Sequence, residues 1–196
     1  MTADKSESKS EAPTDYIAVA REGQAVLLRV KGLGNMNISH VLSDFVETCL
    51  HRQYRNYAID LAECRGMDST FMGSLVGMEA NIRESGGWLC LLNVSEANVN
   101  LLKMIGVWGL VPVKETFPVQ GVETQRLYPD RRASCRLRHI HQAHKNLAAI
   151  DERNRERFGA FLAGLEKEMA AQEYDNAEWQ RELSKPEEPR PAEPPQ

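Results

Sequence analysis

Apolar residues in this chain recur with two alternating periods. Ile38, Val41, Leu42, Phe45, Val46, Cys49 and Leu50 fall at i, i+3, i+4, i+7, i+8, i+11 and i+12, the spacing that lines one face of an α-helix. Asn35 or Asn37 stands ready to cap it. Ahead of it, "YIAVAREGQAVLLRVKG" (16–32) is two β-type runs around Glu22-Gly23, which predicts a hairpin. Strand character returns in "NYAIDLAE" (56–63), and a helix follows from about Thr70 to Glu84, stopped by Ser85-Gly86-Gly87. "WLCLLNV" (88–94) is a continuous apolar run of strand length, as expected where both faces are covered. Ser95 is an N-cap for "EANVNLLKMIG", in which Val99, Leu102 and Ile105 share a face and Gly106 ends the helix. "LVPVKETF" (110–117) has room for a short last strand.

The order is β-β-α-β-α-β-α with that possible final β. Helices between strands imply parallel crossovers, and the opening hairpin adds an antiparallel pair. The expected fold class is α/β: a small mixed β-sheet with packed helices, plus a long C-terminal helical extension.

Composition divides the 196 residues further. Residues 1–14 are rich in Ser, Glu and Lys without an apolar cluster and are expected to be disordered. Residues 15–120 carry the patterned domain, 121–134 a basic linker, and 135–183 a charged C-terminal helix. Residues 184–196 form a Pro-rich tail that no helix can include. The net charge of −4 gives no reason to expect a nucleic-acid partner. No apolar run approaches the ~20 residues of a membrane span, and the polar N-terminus lacks the apolar core of a signal peptide. A cytoplasmic location is the resulting expectation. Cys49 and Cys90 sit in apolar patterns, Cys64 in a loop and Cys135 in a basic stretch. No zinc or redox spacing connects them, so reduced, structural thiols are expected.

The stretch "GMDSTFMGSL" (66–75) places Asp68, Ser69 and Thr70 where a strand should give way to a helix. Any one of the three explains a helix cap; three in a row invite a second explanation. A helix start tolerates negative charge, so phosphorylation of a hydroxyl here would spare the domain while changing the surface a partner meets. Gly73 and Gly77, four apart, allow close backbone approach along one face. Tight packing on the sheet is the expected use, and a partner groove the alternative.

"YAIDLAECRGMDSTFMGSLVGMEANIRESGGWLCLLNVSEANVNLLKMIG" resembles the STAS domain, the family of bacterial anti-sigma factor antagonists, over roughly residues 15–117. The resemblance implies a protein that binds an anti-sigma factor which is also a serine/threonine kinase, regulating transcription by partner switching. Phosphorylation releases the antagonist, and a PP2C-type phosphatase restores it. The family's acceptor falls on Thr70, with Ser69 as the adjacent candidate. Asp68, Ser69, Thr70, Phe71, Met72 and Ser74 become the expected partner-binding residues. Many members have Gly after the acceptor where this chain has Phe71, an aromatic that would restrict a kinase or pack into the partner. The alternatives are a scaffold subunit whose motif is only structural, and a small-ligand or nucleotide sensor.

Other candidates carry less. On a helix, Cys135 and His139 lie within about 40° of each other, while His141 and His144 fall about 240° and 180° from Cys135, so four metal ligands do not converge. The basic stretch with Arg126, Arg131, Arg132, Arg136 and Arg138 is expected to pair with the acidic helix that follows or with a protein partner. Ile140, Leu147, Ile150, Phe158, Phe161, Leu165 and Met169 form an apolar stripe interrupted by "DERNRER". A stripe of that length must be buried, on the domain, on a second copy or on a partner. GxSxG, P-loop, HExxH and CxxC motifs are absent, so neither an enzyme nor a cofactor is expected.

Overall fold

The computed structural model describes residues 15–117, 123–129 and 133–183. The expectations for residues 1–14 and 184–196 lie outside them. Among the described residues six strands form one sheet: β1 (Tyr16–Glu22), β2 (Ala25–Gly34), β3 (Asn56–Asp60), β4 (Cys64–Met67), β5 (Trp88–Leu92) and β6 (Gln125–Leu127). Their order is β5-β3-β2-β1-β6, with β4 paired to the far end of β2. β2 is antiparallel to β1 and parallel to β3 and β4. The fold is therefore a mixed α/β sheet, as the alternation of periods implies.

The hairpin closes at Gly23-Gln24, with Glu22 opposite Ala25. Gly23 takes φ +57, a left-handed conformation glycine adopts without a Cβ penalty. The helices α1 (Met36–His51), α2 (Ser69–Glu84) and α3 (Glu96–Met104) start on side-chain caps from Asn35, Asp68 and Ser95 respectively. Ile17, Val19, Val26, Leu28, Tyr57, Ile59, Leu89 and Leu91 share the main core with Ile38, Leu42, Phe71, Leu75 and Ile82 from α1 and α2. On the opposite sheet face Ala20, Leu27, Ala58, Cys90 and Leu92 make a thinner cluster with Phe117.

Four features depart from the expectation. Cys64 is not in a loop but opens β4, a strand too short for any period to register. "LVPVKETF" contributes no strand, only isolated bridges from Val113 to Leu91 and from Val111 to Trp108. β6 lies inside the segment expected to be a linker, where it pairs with the outer edge of β1. The single C-terminal helix is two, α4 (Ala133–Ala148) and α5 (Glu152–Leu183). Asp151 accepts a hydrogen bond from the Asn154 amide at 2.7 Å, capping a new helix where "DERNRER" interrupts the stripe.

These two helices fold back on the domain as a hairpin. Leu147 is fully buried in the main core, and Ile150 and Phe158 pack against it. At the joint, Asn154 Nδ2 donates to the Ile105 carbonyl at 2.9 Å, tying α5 to the end of α3. The expected charge pairing is seen in part: Glu173 of α5 lies 3.7 Å from Arg138, and Glu166 lies 3.0 Å from His141. Cys49, Cys64 and Cys90 are buried free thiols.

Candidate functional site

Asp68 ties two helix starts together. Its Oδ1 accepts from the Phe71 amide at 2.8 Å and its Oδ2 from the Met36 amide at 2.9 Å. One carboxylate thus satisfies a donor at the start of both α2 and α1. The two hydroxyls that follow diverge. Ser69 is partly exposed at the first position of α2, whereas Thr70 is only 5% exposed. Phe71 and Met72 turn inward and are buried. A Cβ on Gly34 would stand 2.9 Å from the Phe71 ring, so this aromatic fills the space under the end of β2. Neither the kinase-blocking nor the partner-packing role considered for Phe71 fits a core residue, and Met72 leaves the candidate contact surface with it.

The outer face of α2 is formed by Ser69, Gly73, Ser74 and Gly77, and α4 lies across it. A Cβ on Gly73 would meet the Ala143 carbonyl oxygen at 2.1 Å, and one on Gly77 the Asn146 amide nitrogen at 2.3 Å. Asn146 Nδ2 donates to the Gly73 carbonyl at 3.0 Å. The glycine pair therefore serves close approach to a helix of the same chain, not to the sheet.

Histidines complete the contact. His144 Nδ1 lies 2.8 Å from the Ile140 carbonyl, which has no proton to give, so Nδ1 carries the hydrogen and Nε2 is an acceptor. Ser69 Oγ, 2.9 Å from that Nε2, donates to it. His139 uses the other tautomer. Ser74 Oγ donates to the Thr70 carbonyl at 2.8 Å and Ser39 Oγ to the Met36 carbonyl at 3.3 Å. Both oxygens then accept from His139 Nε2–H, 2.9 Å from each. Burial pushes His139 down to about 4, and the facing His40 adds to the effect. Burial also lowers His144, opposed by its bond to the Ile140 carbonyl and by the Asp68 carboxylate. The contact is thus made of neutral imidazoles, enclosed on the α5 side by Phe158 and Phe161, whose ring centroids lie 5.2 and 4.6 Å from that of His144.

His139, His141 and His144 each turn to a different partner. His139, His144 and Asn146 were not expected at the site, because the sequence signals them only as failed metal ligands or as polar breaks in a stripe. The signal that would have found them is size matching: two glycines four apart on one helix suit another helix whose crossing point is small. Beside the contact, α1, α2 and α4 leave a cleft of about 640 Å³. Its lining mixes Glu47 and Glu84 with His51 and Arg55.

Residues 17–112 match the family described as "Mlab, STAS domain", and the chain carries a STAS domain over that span. No curated protein matches the sequence. Among solved structures, the protein TM1081 by NMR is 20% identical, with 59% of this chain and 91% of that one covered and a TM-score of 0.48. A putative anti-sigma factor antagonist from Thermotoga maritima is 20% identical, covering 52% and 87%, at 0.48. The unphosphorylated anti-sigma factor antagonist SpoIIAA is 14% identical, covering 52% and 89%, at 0.47. Among the described residues no helix is long and apolar enough to cross a membrane.

Proposed function

We propose that the protein is an anti-sigma factor antagonist that acts by binding rather than by catalysis, through the outer face of α2. The observation that carries this reading is the face itself. Ser69, Gly73, Ser74 and Gly77 present small and polar groups against which a helix packs at backbone contact distance. Such a surface suits a protein helix better than a small substrate. The partner by this reading is an anti-sigma factor with serine/threonine kinase activity. Phosphorylation of the Asp-Ser-Thr motif ends the complex, and a PP2C-type phosphatase renews it, in the cytoplasm.

Exposure favours Ser69 over Thr70 as the acceptor, since Thr70 is buried while Ser69 reaches the surface. Phosphopeptide mass spectrometry of the native protein, together with affinity capture using wild type and Ser69→Glu as baits, tests the reading. The expected result is a phosphate on Ser69 and a kinase-containing complex that Ser69→Glu fails to retain. A second reading is favoured by the burial of Thr70 and Phe71: a scaffold subunit whose motif is structural. An unmodified motif with the same complex captured by both baits supports it. Self-association is the remaining part of the proposal. Leu147, Ile150 and Phe158 of the C-terminal stripe are used on the domain, but Phe161 remains 47% exposed on α5. A mass above that of one chain in light scattering is the expected sign of pairing there.

A further inference from the structure

We propose that the α4–α5 hairpin is an intramolecular occupant of the α2 face in competition with a partner helix, and that a negative charge on Ser69 loosens the hairpin from that face as it does the partner. The inference rests on the partner-binding role assigned to α2 above. It adds that the free and the self-covered states compete.

Several observations meet at this one contact. The α4 side is fitted to α2 as a partner would be: Ala143 lies over Gly73, Asn146 over Gly77, and His139 and His144 meet Ser74 and Ser69. The meeting surface is small and polar. Its apolar anchoring comes mainly from Leu147 at one end. Interfaces of that composition separate at less cost than a core does, because their polar groups regain hydrogen bonds in water. The hairpin follows β6 closely in sequence, so it competes for the face at a high effective concentration. A partner must either outbind it or wait for its release.

Ser69 is placed to trigger release. Its hydroxyl donates to His144 Nε2, a lone pair on a neutral ring. A phosphoserine or glutamate has no proton to give, and brings oxygen lone pairs to that nitrogen instead. The negative end of the α4 dipole is also nearby, since His144 lies just ahead of the last residues of α4. The start of α2 favours the same charge. The modification therefore opposes docking of α4 while leaving α2 and the sheet intact. The partner that competes with α4 for the uncharged face is a helix with a small residue where it crosses Gly73.

Two measurements on the full-length chain test this. Hydrogen exchange read by mass spectrometry compares wild type, Ser69→Ala and Ser69→Glu. In Ser69→Glu, α4 amides are expected to exchange about tenfold faster or more, with β3 and β5 still protected. Ser69→Ala is expected to lie between. Unchanged or slower exchange in α4, as an ion pair with a protonated His144 would give, overturns the proposal. So does equal loss of protection in the strands, which would make the hairpin part of the core. The second measurement uses a labelled synthetic peptide of residues 133–183 as the probe. The full-length double variant His139→Ala/His144→Ala is expected to bind it about tenfold more tightly than wild type, whose own hairpin occupies the face. Equal binding by both, or by neither, overturns the occupancy claim. Neither readout needs a kinase or a sigma factor, so failure here is separable from failure of the functional reading.

Discussion

Ser69 and Thr70 are adjacent hydroxyls, and a carboxylate meets different surroundings at each. At Thr70 it enters a buried site, where an unpaired charge is costly. Thr70→Glu is expected to lower unfolding free energy by about 2–4 kcal/mol. Ser69→Glu is expected to cost the sheet domain under about 1 kcal/mol, because the helix start offsets part of the loss. Urea denaturation followed through a strand signal separates the two, and coincident midpoints would contradict this placement of the hydroxyls. Gly73 makes a second residue-scale case. Its hydrogen faces backbone, and a backbone carbonyl does not rotate away as a side-chain tip does. Gly73→Ala is expected to cost about 1–3 kcal/mol. Gly164→Ala, in α5 with nothing near the added carbon, is expected to stabilise by about 0.5–1 kcal/mol. Denaturation midpoints that move in the same direction would count against the close approach.

At the scale of elements, the α2–α4 contact is held by imidazoles that must stay neutral. His139 titrates near 4 when docked, against about 6.5 when released. The released state therefore binds more protons below 6.5, and docking weakens as pH falls from 6.5 towards 4. Above 6.5 its contribution is complete. His144, lowered in the same direction by burial, adds to the effect. The groups facing His139 are His40 and Ser39 on α1 and Ser74 on α2. Asp68 faces His144 and opposes part of its shift. The expected outcome is α4 amide exchange that rises between pH 6.5 and 4 once corrected for intrinsic rates. His139→Gln, which keeps a donor and cannot titrate there, is expected to flatten that rise. A pH-independent wild type would show that these rings do not control docking.

In the whole molecule, the apolar anchor of the hairpin lies near its turn. Leu147 is completely buried in the core shared by sheet and helices, and Asn154 reaches the end of α3. Leu147→Ala is expected to cost about 2–5 kcal/mol, the range for a leucine removed from a packed site. Because the hairpin can leave before the sheet opens, the loss should fall first on α4 and α5 exchange and only later on β3 and β5. Circular dichroism and exchange of wild type and variant check the order. Simultaneous loss in all elements would show one cooperative unit.

Much of this was legible in the residues alone. The period of α1, the Gly23 turn, the three helix caps and the Asp-Ser-Thr position are local, and local geometry is encoded within a few neighbours. β4 escaped because four residues hold too little pattern, and β6 because three residues pair on an edge that only β1 supplies. The split of α4 from α5 was written in Asp151, a cap inside a charged run, but read as an interruption of one helix. What only the tertiary structure decided is which surface the glycine face meets. Gly73 and Gly77 state that something comes close; they carry no information on whether it is a sheet, a partner or the chain's own α4. Likewise His139 and His144 lie 65 and 75 residues from the serines they bind. At that separation neither periodicity nor spacing registers a contact, and only packing of the hairpin on the domain brings the pairs together.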